Sequence, residues 1–111
     1  VAVPSAAHAL VATDLYQVLE TSDMPSGAFN IVTGRATELA KVLAMHDDVD
    51  GLWVVADADT CAVAERESAG NLKRVWTSGG VAPDWTGWRA MQGAFLQRSV
   101  EIKNVWVPYG D

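Results

Sequence analysis

Apolar residues recur along this chain with a period that switches between helical and strand spacing. Val11, Leu15, Val18 and Leu19 stand at i, i+4, i+7 and i+8, one stripe of a helix that Ser5 starts as N-cap and that runs to about Thr21. Pro25 and Gly27 end it in a turn. Ala28 to Thr33 is a short apolar run rich in branched side chains and bounded by Gly27 and Gly34, the pattern of a strand covered on both faces. Leu39, Val42, Leu43 and His46 share a second helical face. Asp47, Asp48 and Asp50 make a solvated turn, and Leu52 to Ala56 is another apolar strand. A helix from about Thr60 to Ala69, capped by Asp59 or Thr60 and stopped by Gly70, leads to a third strand, Leu72 to Thr77. Doubly apolar strands alternating with short helices predict an α/β fold, with three parallel strands joined by right-handed crossovers.

After Ser78 the texture changes. Gly79, Gly80, Pro83, Asp84, Trp85, Gly87 and Trp88 punctuate a loop, and a short helix follows from Trp88 to Arg98. Glu101 to Val107 places Ile102, Asn104 and Trp106 on one face and Lys103, Val105 and Val107 on the other, so both faces are half apolar. A strand of that kind needs cover on two sides and a partner along its edge, and a chain this small supplies few of these itself. The predicted organisation is therefore an α/β unit over residues 1–78, then a Trp/Gly-rich loop, a short helix and a C-terminal strand over 79–111.

The chain's 111 residues make one domain at most, able to fold alone with little margin. Fourteen carboxylates against eight Lys and Arg give a field that repels polyanions, which argues against a nucleic-acid partner. No apolar run approaches the roughly eighteen residues needed to cross a bilayer, so no membrane is expected. The first residues lack the basic start and apolar middle of an export signal. A single Cys excludes an internal disulfide, and the expectation is a reducing, cytoplasmic setting. The chain opens at Val1 in mid-pattern, as the tail of something longer would.

Several stretches resemble the aldehyde dehydrogenase superfamily. Pro25-Ser-Gly-Ala-Phe-Asn-Ile-Val-Thr-Gly34 is similar to the family's P-x-G-V-x-N-[IV]-V-x-G turn and strand, His46-Asp-Asp-Val-Asp50 to its H-x-x-V-D turn, and Asn71-Leu-Lys-Arg-Val75 to its N-L-K-R-V. Laid on that family, Pro4 to about Val75 covers the cofactor-domain half without a gap. Glu101-Ile-Lys103 is similar to the E-[VI]-K that begins the family's C-terminal arm strand, which pairs with a neighbouring subunit. The catalytic domain would lie between Val75 and Phe95, where only about twenty residues stand. The resemblance implies a small Rossmann-like unit with an oligomerisation strand, in which Lys103, Val105, Trp106 and Val107 form the interface.

It also implies lost chemistry. The family's K-P-A-E places Lys and Glu on the adenosine ribose of NAD or NADP; here Pro4 survives with Val3 and Ala6 in those positions. The F-T-G-S-T-x-x-G turn brings a helix N-terminus to the pyrophosphate because Gly has no Cβ. This chain has Trp53-Val-Val-Ala-Asp57-Ala-Asp-Thr60, with Val55 and Thr60 replacing the glycines and two carboxylates where phosphate oxygens would sit. The catalytic Glu of E-L-G-G falls on Ser78, and the nucleophilic Cys belongs to the absent domain. Thr33 and Gly34 are all that remains of the adenosine-side turn. The reading is a noncatalytic domain, without cofactor, serving assembly of a larger oxidoreductase through a protein partner or its own copies. The alternative is the terminal piece of an active NAD(P)-dependent enzyme whose catalytic residues lie upstream. A third is a module binding a small ligand over the Trp-rich loop.

Other residues carry plainer readings. Cys61 has no base near it in sequence and reads as an inert helix residue rather than a nucleophile. Asp47, Asp48 and Asp50 lack calcium-loop spacing, and Asp57 with Asp59 offers two ligands at most, so no metal is expected and a solvated turn and a helix cap are. His46 reads as a packed or capping residue, and His8 carries no signal. Trp85 with Trp88 resembles a stacking platform, but Trp76, Trp85, Trp88 and Trp106 read better as packing or subunit contacts.

Overall fold

Leu52 and Val54 turn inward and Gly51 and Trp53 outward, and this period of two makes Gly51–Val54 the first strand, β1. In the computed structural model, which describes residues 1–109 and only the backbone of residues 88–92, β1 pairs in parallel with β2, Arg74–Thr77. Gly51 stands opposite Arg74, and Trp53 opposite Trp76. Helix α3, Ala58–Glu67, and a 3-10 turn, Ser68–Gly70, form the crossover. Helix α2, Ala36–Met45, precedes β1. The core is small: Ala44 of α2, Leu52 and Val54 of β1, and Cys61 and Ala64 of α3 are buried together, with Leu43 and Ala56 packed against them.

The opposite face of the sheet is aromatic. Helix α4, Trp88–Ser99, lays Phe95 on Trp53 and Trp76, with ring centroids 5.2 and 5.5 Å away. Trp85 stacks on Phe95 at 6.0 Å, and the Arg98 guanidinium stands 5.1 Å from the Trp76 ring. The packing role expected of Trp76 and Trp85 is thus the one they fill; the Trp88 side chain lies outside the described residues.

Three expectations are corrected. The helix predicted from Ser5 begins as a 3-10 turn, Ala6–His8, and only Ala9–Glu20 is α-helical (α1); Ser5 makes no side-chain cap bond. Its stripe is formed but uncovered, with Val11 and Val18 exposed. Ala28–Thr33 is not a strand of the sheet, which has two strands among the described residues. It makes one parallel bridge, Ile31 to Ala2, through Ala2 N–H to Asn30 O (2.8 Å) and Val32 N–H to Ala2 O (3.0 Å). Phe29 and Val32 stay exposed, so neither face has the cover a parallel strand needs. Glu101–Val107 likewise forms no strand: it pairs with neither strand of the sheet, and Val105 and Trp106 are 82% and 91% exposed. Gly110 and Asp111 lie outside the described residues. The radius of gyration, 16.8 Å, exceeds the roughly 13 Å of a compact domain this long, as these uncovered segments require.

Candidate functional site at the start of helix α3

Ligands of parallel α/β sheets bind outside the carboxyl ends of the strands, where a helix N-terminus offers unpaired amides. Here that place is the connection Val55-Ala56-Asp57 from β1 into α3, faced by Ser78-Gly79-Gly80 after β2. Asp57, and not the expected Asp59 or Thr60, is the N-cap. Its Oδ1 accepts the Thr60 backbone N–H at 2.9 Å and its Oδ2 the Thr60 hydroxyl at 2.8 Å. These two bonds, the backbone one first, hold the Asp57 carboxyl below its ordinary range. With Asp59 in the first turn, the positive end of the helix dipole already faces negative charge from the protein itself.

The turn after β2 closes the same place sterically. Gly79 and Gly80 have φ of +62° and +87°, and a Cβ on Gly80 would stand 3.0 Å from both the Cβ and the backbone N of Ala58. The loop therefore lies directly on the first turn of α3. Beneath it Cys61 is 2% exposed, its Sγ 3.6 Å from Ala56 O and 3.9 Å from Val54 O and Ser78 Oγ. Burial pushes the thiol up, but hydrogen bonding from the Gly80 backbone, the Ser78 hydroxyl and the Ala56 and Gly79 backbone outweighs it, and the net direction is down. That is the environment of a packed, buried thiol with hydrogen-bonding neighbours.

The other expected residues are dispersed. Thr33 and Gly34 are exposed after the Ala2–Ile31 bridge, with Gly34 against Leu39. Lys103 pairs with Glu101 at 3.7 Å in the exposed tail beside Val105, Trp106 and Val107. His46 is the C-cap of α2 and its Nδ1 accepts the Asp48 N–H at 3.2 Å, the capping role expected of it. Among the described residues no group of three or more His, Cys, Asp or Glu is placed to hold a metal, and no helix is long and apolar enough to cross a membrane.

The role of Lys73 was not anticipated from the sequence. Its Nζ donates to the carbonyls of Leu43 (3.0 Å), Ala44 (2.7 Å) and His46 (2.7 Å), closing the C-terminal end of α2. Asn71 adds a bond from Nδ2 to His46 O at 3.4 Å and accepts the Lys73 N–H at 3.2 Å. Asn71-Leu-Lys-Arg-Val75 is thus a clamp that sets the entry of β2 against α2.

The family model of the aldehyde dehydrogenase family matches residues 1–84 of the 111. The chain belongs to the aldehyde dehydrogenase family. No solved structure matches it. The matched span holds the whole α3 turn and stops short of Phe95 to Val107, so the likeness of that tail, with Glu101-Ile-Lys103 inside it, to the C-terminal segment of aldehyde dehydrogenases rests on the sequence resemblance alone. In aldehyde dehydrogenase terms, the two motif glycines are the half-exposed Val55 and the buried Thr60, and Thr60 is committed to the Asp57 cap.

Proposed function

We propose that this chain is a noncatalytic aldehyde dehydrogenase-like domain that supports assembly of a larger oxidoreductase. The observation that carries the reading is the exposed Asp57 carboxylate bonded to Thr60 across the start of α3, in the same turn whose Ala58 lies against Gly80. A dinucleotide pyrophosphate would need bare amides there. Two unit charges about 4 Å apart repel by roughly 1 kcal/mol in water and several times that near a protein surface. No cofactor is expected in such a turn. The partner contact is the tail: Lys103, Val105, Trp106 and Val107 are exposed on an extended segment, and such a segment adds to the sheet edge of another chain or another copy. Given neighbours, Ala28–Thr33 becomes the third strand of a Rossmann-like unit. A buried free Cys61 suits a reducing cytoplasm.

Removing residues 101–111 tests the tail. The full chain is expected as a complex or oligomer by light scattering, and the shortened chain as a monomer with an unchanged helical circular dichroism signal. A shortened chain that keeps its partners overturns the arm.

The second reading, the terminal piece of an active NAD(P)-dependent enzyme, is favoured by the family match itself. Titrating NAD while following Trp fluorescence separates the two, because Trp53 flanks the turn. We expect no saturation at micromolar ligand; saturable quenching would establish the enzyme reading instead.

A further inference from the structure

We draw no further inference here: the strongest candidate, the cleft lined by Trp53, Arg74, Trp76 and Arg98 between the aromatic face of the sheet and the end of helix α4, carries none, because nothing in the structure shows what covers it.

Discussion

Gly80→Val is expected to cost about 3 kcal/mol or more, enough to unfold much of the population of a domain whose total stability is of order 5–15 kcal/mol. Two effects add. At a φ of +87° a branched side chain pays roughly 1–3 kcal/mol of backbone strain. Its Cβ also stands 3.0 Å from Ala58 N, and backbone cannot swing aside as a side chain would, so the loop must lift off α3. Gly79→Ala separates the effects. Its φ is +62° but a Cβ there meets nothing within 4 Å, so about 1 kcal/mol is expected. Urea midpoints at constant m-value measure both. Reaction of Cys61 with a thiol reagent gives an independent readout: it should quicken in the Gly80 variant and stay slow in the Gly79 variant. Equal midpoints would mean that the loop does not bear on α3.

The elements legible in the sequence are those whose cover is local. Helix α2, β1, α3 and β2 follow one another in the order and type that periodicity predicts, because Ala44 of α2 and Cys61 and Ala64 of α3 bury against Leu52 and Val54; the face of α2 that is buried is not the predicted one, since Val42 and His46 are exposed. Boundaries moved by up to a few residues. The cap of α3 shifted back to Asp57 because a carboxylate three residues before Thr60 reaches both its N–H and its hydroxyl, which Asp59 cannot do from within the first turn.

What failed was legible as chemistry and not as outcome. Ala28–Thr33 and Glu101–Val107 have strand composition, yet a strand is made by its neighbour's backbone groups, and one bridge to Ala2 is all that the first receives. At the α3 turn, the replacement of the motif glycines by Val55 and Thr60 could be read directly. The roof that Gly79 and Gly80 place over it could not, because a glycine pair alone specifies only a permissive backbone.

Lys73 sits in a motif that was legible as a likeness, but its work spans thirty residues of sequence. The last carbonyls of a helix lack intrahelical partners, and α2 ends without a glycine cap, in His46 at a φ of −75°. One ammonium donating to three carbonyls satisfies that end and adds charge of the sign the C-terminal dipole favours. Lys73→Met keeps the stem and removes the charge, and a hydrogen bond to a charged group contributes about 1.5–3 kcal/mol net. Part of the site is open to water, which will resolvate some of the carbonyls, so a loss of about 2 kcal/mol is expected, or roughly 10 °C in Tm at 4–8 °C per kcal/mol. Lys73→Arg should recover only part of it, because a planar guanidinium cannot point three donors at carbonyls converging on one atom. A Met variant that melts with the parent would show that the α2 terminus is held by packing of Ala44 alone, and that the clamp before β2 contributes nothing to stability.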